Sequence, residues 1–369
     1  MAGEPPQNKT NILFLISDMR GGGAQRVASL LCNAWVERGD QVTLVTYEAE
    51  DTESFYALSE KIDQRKLDLV TGSHNVFLAL RSNFKRIMRV QKIIKETQPD
   101  VVLCFGAEVT VIGVMAALGL DVKIIGSERT DPSRYPTGIW GKLRNFAYPK
   151  VSKLVVQTNS AAEFCTRFHK DISIIPNPVV LPDLSETSDI SKPAGEFISS
   201  LGRLSEEKGH DLLIRAFAQI AKDYKDLDLL LIGDGPKRQD YQDMASDLDI
   251  AERVHFAGQS KNPFPVLQHA RIFVLPSRFE GFPNALVEAM ALGLPCLSTK
   301  GTIGAETVID DGRNGLLVEA EDPDAMAAAL RNLLDNAEWA QKLGEAAGHD
   351  IPDKLSLDTV LSYWDKVIK

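Results

Sequence analysis

Short apolar runs that end in a turn and lead into helical spacing recur along this chain. That order dictates parallel sheets covered by helices. Asn11–Ser17 passes through the turn Asp18–Gly23 into Ala24–Arg38, where Val27, Leu30, Leu31, Ala34 and Trp35 mark one helical face. Gly39-Asp40 stops that helix, and Gln41–Thr46 reads as the next strand. Further strands fit Val101–Cys104, Val122–Gly126, Leu154–Gln157 and Ser173–Ile175. Prolines, serines and aspartates crowd Asn177–Glu196, the expected linker. The pattern then restarts with strand Phe197–Leu201, turn Gly202–Lys208 and helix His210–Lys222. Strands Leu227–Ile232, Val254–Ala257, Ile272–Leu275 and Cys296–Ser298 follow, and Pro352–Lys369 reads as a closing helix. The expected fold class is α/β, with two doubly wound Rossmann-like domains at 1–180 and 181–351 and a last helix at 352–369.

A length of 369 residues agrees with two domains. No apolar run nears the roughly 18 to 20 residues of a membrane span; the longest are Val109–Leu120 and Ile12–Ile16. The start, Met-Ala-Gly-Glu-Pro-Pro, lacks the basic and apolar stretches of a signal peptide, so a cytoplasmic protein is expected. Cys32, Cys104, Cys165 and Cys296 form no CxxC pair, which predicts buried reduced thiols and no zinc site. Residues 1–182 carry 22 basic and 19 acidic side chains, a net of +3, whereas 183–369 carry 19 and 32, a net of -13. Such asymmetry predicts different partners for the two halves. An acidic total without a basic tail or nucleic-acid motif argues against nucleic acid.

In open α/β sheets ligands lie beyond the carboxyl ends of strands, so the loops there carry the functional argument. The first, Gly21-Gly22-Gly23-Ala24, precedes a helix and suits a phosphate, a sugar hydroxyl or simply a tight turn. It is not a GxGxxG, although Glu48 beyond the second strand stands where an NAD-binding acid would. The second, Gly202-Arg203-Leu204-Ser205-Glu206-Glu207-Lys208-Gly209, places two cations five residues apart, able together to neutralise a diphosphate or merely to sit on the surface. The third, Pro276-Ser277-Arg278-Phe279-Glu280-Gly281-Phe282-Pro283-Asn284-Ala285-Leu286-Val287-Glu288, runs from strand end to helix start with carboxylates eight residues apart. Pro283 has no N–H, so Asn284 and Ala285 are the expected amide donors.

With these loops and Ile232-Gly233-Asp234-Gly235-Pro236 in order, the chain resembles a retaining glycosyltransferase of family 4, with the GT-B fold. The specific motifs lie in 197–335, while the first half is similar mainly in architecture. The resemblance implies two domains facing across a cleft, the first taking the acceptor and the second the nucleotide-sugar donor. It also implies that the last helix crosses back to the first domain. Arg203 and Lys208 would hold the donor diphosphate, Glu280 the transferred sugar and Glu288 the nucleotide ribose. Amides near Asn284 and Ala285 would meet phosphate and sugar, Gly258-Gln259 would lie near the base, and Gly22 and Gly23 would face the diphosphate from the other domain. Transfer would need no metal or other cofactor. Asp226-Leu-Asp228 and Asp247-Leu-Asp249 spell DxD but read as solvated surface.

Many relatives carry a histidine in the first domain near the sugar. None of the 6 histidines follows the strand ending at Gly126, and the loop there reads Ser127-Glu128-Arg129-Thr130. That is similar to a bacterial polysaccharide subset of the family, which makes Glu128 or Arg129 the sugar or acceptor contact; a salt-bridged loop is the competing reading. Arg81, Lys85, Arg86, Arg89, Lys92 and Lys95 alternate with Phe84, Ile87, Met88, Ile93 and Ile94 in a basic amphipathic helix. It suits either an anionic membrane surface or packing on the sheet.

The expected activity is transfer of a hexose or N-acetylhexosamine from a nucleotide-diphosphate sugar, UDP before GDP, to a lipid-linked glycan. The expected place is the cytoplasmic face of an inner membrane. A nucleotide-sugar epimerase of the same fold, an NAD-dependent oxidoreductase and a non-catalytic sugar-nucleotide binder are the competing readings.

Overall fold

The computed structural model describes residues 9–69, 76–134, 137–181, 183–300 and 304–369. The chain divides into two compact units, residues 1–176 with 360–369, and residues 177–359.

The first unit contains β1 (Asn11–Ile16), α1 (Gly23–Glu37), β2 (Gln41–Thr46), β3 (Asp63–Lys66), α2 (Val76–Thr97) and β4 (Val101–Phe105). It continues with α3 (Ala107–Ala116), β5 (Lys123–Ser127), α4 (Gly138–Ala147), β6 (Lys153–Val156), α5 (Asn159–Cys165) and β7 (Ile172–Ile174). Among the described residues its strands are all parallel, in the order β3-β2-β1-β4-β5-β6-β7. Central strands are buried on both faces, which is why β1 reads as a continuous apolar run. Helices α2 to α5 contribute to one core, with Val90, Ile94, Ile112, Ala147 and Cys165. On α1 the buried residues include Val27, Leu31 and Trp35. The indole of Trp35 meets Trp364 edge-on, with centroids 6.4 Å apart. Strand β3 is unannounced by the sequence because its residues, Asp-Gln-Arg-Lys, form a polar edge.

The second unit contains β8 (Glu196–Leu201), α6 (His210–Ile220), β9 (Leu227–Ile232), α7 (Arg238–Asp247), β10 (Val254–Gly258), α8 (Phe264–Leu267) and β11 (Ile272–Leu275). Then come α9 (Asn284–Ala291), β12 (Cys296–Thr299), α10 (Ala305–Val308), β13 (Leu316–Val318), α11 (Pro323–Asp335) and α12 (Ala337–Leu355). Among the described residues its parallel order is β10-β9-β8-β11-β12-β13.

The last helix, α13 (Leu357–Ile368), is shorter than the expected Pro352–Lys369. Pro352 lies in the final turn of α12, and Ser356 starts α13 by accepting the Thr359 N–H on its hydroxyl. From residue 360 onward the chain belongs to the first unit, where Arg38 grips Asp365 in a two-pronged ion pair at 2.7 and 3.1 Å. All four cysteines are buried free thiols.

Candidate functional site

Strand order reverses between β8 and β11 in the second unit, and a crevice opens at such a point beyond the carboxyl ends. The loop after β8 carries Arg203 and Lys208; the loop after β11 carries Glu280. Gly209 lets them meet. It sits at φ +64°, and a Cβ there would stand 2.1 Å from the carbonyl oxygen of Pro276. This approach places the Lys208 ammonium 2.6 Å from Glu280 Oε1, an oxygen that also accepts the Ser277 hydroxyl at 2.8 Å. The pair is half-buried, Glu280 at 11% exposure and Lys208 at 25%. Arg203, five residues earlier in the same loop, is exposed.

The Gly233-Asp234-Gly235 turn after β9 fixes the other flank of the Arg203 loop. A Cβ on Gly233 would lie 2.0 Å from the Gly202 carbonyl oxygen, so this motif serves backbone packing. The Gly202 and Leu204 amides donate to the carbonyls of Ile232 and Asp234. Gly258, at φ +80°, closes β10 by accepting the Gly233 amide on its carbonyl; Gln259 follows, exposed. Thus Gly233 packs on the loop that carries the two cations, and Gly258 is joined to Gly233.

At α9 the geometry corrects one expectation. The Asn284 amide is spent on the Phe282 carbonyl at 3.0 Å, and its side-chain oxygen accepts the Asn177 amide group at 2.7 Å. Val287 is the first amide to reach back into the helix, to Pro283, so Ala285 and Leu286 are the amides ahead of the ladder. Leu286 replaces Asn284 as a donor candidate. Asn177 escaped sequence reading because its partner lies 107 residues away. Glu288 is buried on the second turn of α9.

His210, beside Lys208, is 1% exposed, and neither ring nitrogen finds a hydrogen-bond partner among the described residues. Burial first, and the Lys208 charge second, push its pKa down to about 4, so the imidazole is neutral.

The first unit has its own reversal, between β1 and β4. Gly22 caps α1 at φ +129° without a side-chain bond, and Gly23 begins the helix. Gly106, at φ +113°, opens α3 on the adjacent strand end and went unread because one glycine after a strand is weak punctuation.

Of the expected sugar or acceptor contacts, Glu128 is buried at 1% exposure and Arg129 is partly exposed. One Glu128 oxygen accepts the Arg129 and Thr130 amides and the Thr130 hydroxyl; the other accepts Tyr148 OH at 2.6 Å. Burial still raises its pKa. The Arg129 guanidinium lies 3.7 Å over the Phe105 ring and 5.4 Å from that of Trp364, and burial lowers its pKa to about 9.

Two further expectations change. Asp228 is not solvated surface: it accepts from Arg253 and pairs with His255, both at 2.8 Å. On α2, Arg86 is buried, its guanidinium bonded to the Leu69 carbonyl and to Asn83. Arg89 reaches the Leu67 carbonyl, and Lys92 pairs with Glu96 at 3.6 Å. Phe84 and Met88 remain exposed at 63% and 48% beside Arg81, Lys85, Lys92 and Lys95. A second exposed apolar set stands on α4, Ile139 at 66% and Phe146, with Lys142 on the helix and Lys150 in the turn after it. Both α2 and α4 pack on α3. A cavity of about 530 Å³ beside α2 is lined by Arg65, Lys66, Arg89 and Lys92 with Glu50 and Glu96. No described helix is long and apolar enough to cross a membrane. Among the described residues no three His, Cys, Asp or Glu side chains gather as metal ligands.

Comparison with known proteins matches both units. The family described as glycosyl transferases group 1 matches residues 187–350, and glycosyltransferase family 4 matches residues 21–181. An uncharacterised glycosyltransferase of Methanocaldococcus jannaschii is 31% identical, over 69% of this chain and 70% of that one. A Campylobacter jejuni protein is 27% identical over 97% of this chain and 98% of its own length. It is named GalNAc-alpha-(1->4)-GalNAc-alpha-(1->3)-diNAcBac-PP-undecaprenol alpha-1,4-N-acetyl-D-galactosaminyltransferase. Among solved structures, sucrose-phosphate synthase from Thermosynechococcus elongatus superposes with a TM-score of 0.82 at 17% identity, covering 97% of this chain and 98% of that one. Anabaena HepE, in complex with UDP and glucose, gives 0.78 at 16%, covering 97% and 99%.

Proposed function

The chain belongs to glycosyltransferase family 4, and on that premise we propose that its second unit holds the diphosphate of a nucleotide sugar between Arg203, Lys208 and the amides of Ala285 and Leu286. The observation that carries this reading is the Lys208–Glu280 pair at the strand-order reversal, beside the start of α9. Departure of the leaving group builds negative charge on the diphosphate. Fixed cations and helix-start amides stabilise that charge more as it grows, which lowers the barrier. Glu280 shares the Lys208 proton donors in the free protein and turns its second oxygen to the sugar hydroxyls when donor binds. Glu288 takes the ribose, and Gly258-Gln259 flank the base. An acceptor hydroxyl attacks from the face the leaving group vacates, its proton passing to a phosphate oxygen, so configuration is retained. No metal is required.

UDP is the favoured nucleotide, a reading supported by the HepE complex. The acceptor is a lipid-linked glycan, supported by the undecaprenol-linked substrate in the name of the Campylobacter relative. The enzyme works at the cytoplasmic face of an anionic membrane, approached by the outer faces of α2 and α4. Arg81, Lys85, Lys92, Lys95, Lys142 and Lys150 supply charge there; Phe84, Met88, Ile139 and Phe146 supply insertion.

Thermal-shift titration with UDP, GDP and NAD, each with and without EDTA, tests the donor site, since a ligand that binds the native state raises Tm. The expected result is an EDTA-insensitive shift with UDP that Lys208→Ala abolishes. A shift with NAD alone, or one with UDP untouched by Lys208→Ala, overturns the assignment.

A further inference from the structure

The Arg278 guanidinium makes four hydrogen bonds through its two Nη atoms and a further ion-pair contact through Nε. Nη1 donates to the Glu206 carbonyl at 2.7 Å and to Asp211 Oδ1 at 2.8 Å. Nη2 donates to Asp211 Oδ2 at 2.8 Å and to Glu321 Oε2 at 3.1 Å, and Nε meets Glu321 Oε1 at 2.6 Å. The Arg278 amide adds a bond to the Glu207 carbonyl at 2.8 Å. One side chain therefore ties together the loop of Arg203 and Lys208, the first turn of α6, its own loop with Glu280, and the segment after β13.

We propose that Arg278 is a positioning residue for the donor site, fastening the Arg203–Lys208 loop to the Glu280 loop before donor arrives. This rests on the donor-site reading above. The arrangement is held against local cost: Glu321 adopts φ +58°, a left-handed conformation that side chains other than glycine resist, while its carboxylate stays on Arg278. Lysine is no substitute, because a point charge with three donors cannot reproduce two parallel carboxylate contacts and a carbonyl bond at once. With its guanidinium held by Asp211, Glu321 and the Glu206 carbonyl, Arg278 acts through Lys208 and Glu280.

Arg278→Lys and Glu321→Gly are compared with the full-length protein for urea midpoint, hydrogen exchange of amides 203–208, and KM and kcat with UDP-sugar. Glu321→Gly relieves the backbone strain while deleting the carboxylate, so its urea midpoint falls less than that of Arg278→Lys. Both variants nonetheless exchange faster across 203–208 and raise donor KM roughly tenfold, with kcat at saturating donor little changed. A residue serving only the fold would move KM and midpoint together in both variants. Unchanged exchange and unchanged donor KM in Arg278→Lys overturn the positioning role. UDP binding by Lys208→Ala at wild-type strength overturns the donor-site reading itself, and the inference with it.

Discussion

Gly209→Ala isolates the contact on which the candidate site depends. The position has φ +64°, which costs an L-residue about 1–2 kcal/mol, and the added methyl would lie 2.1 Å from the Pro276 carbonyl oxygen. A backbone carbonyl cannot swing aside like a side-chain tip, so overpacking adds about 1–3 kcal/mol. The total is about 2–5 kcal/mol. Gly312→Ala in the same unit supplies the reference: its φ is +77°, yet nothing lies within 4 Å of the added methyl, so it should lose only about 1–2 kcal/mol. Urea unfolding followed by intrinsic fluorescence measures both. The excess should accompany a rise in donor KM, because relief requires the Lys208 loop to withdraw from Pro276 and Glu280. Equal destabilisation by the two substitutions, or a normal donor KM in Gly209→Ala, would refute the close-approach argument.

Stability should depend on His210. Its folded pKa of about 4 lies below the ordinary 6.5, so the unfolded chain binds the proton first as pH falls through that window. Wild type should lose about 2–3 kcal/mol more than His210→Phe between pH 7 and pH 4.5, measured as the difference in urea unfolding free energy; equal losses would remove the imidazole from the account. For the membrane face, sedimentation with phosphatidylglycerol vesicles should carry down wild type, and Phe84→Ser with Ile139→Ser should weaken binding at least several-fold. Binding indifferent to those changes, or equally strong on neutral phosphatidylcholine vesicles, would count against that face.

Although β13, three residues of Leu-Leu-Val, was too short to register, the chain order of most strands was legible because each carries its own period of burial. So were the loops holding Lys208, Glu280 and Ala285, since strand ends in a parallel sheet must open toward the ligand side. Edge strand β3 was not, because an edge asks for no apolar pattern, and its Asp-Gln-Arg-Lys reads as loop until β2 pairs with it. Helical spacing placed Arg86 among the six cations of α2, but only packing revealed that the Leu69 carbonyl and the Tyr47 ring draw it inward. Likewise Asn284 could be seen at a helix start, while the turn that spends its amide on Phe282 is a matter of φ and ψ. Arg278 was just one more charged residue in a motif until Asp211, 67 positions earlier, and Glu321, 43 later, closed around it. Sequence fixes what each segment prefers over a few residues, because those preferences come from local backbone sterics and periodic burial. Which donor finds which acceptor across the fold depends on where whole strands come to lie, and that belongs to the tertiary structure.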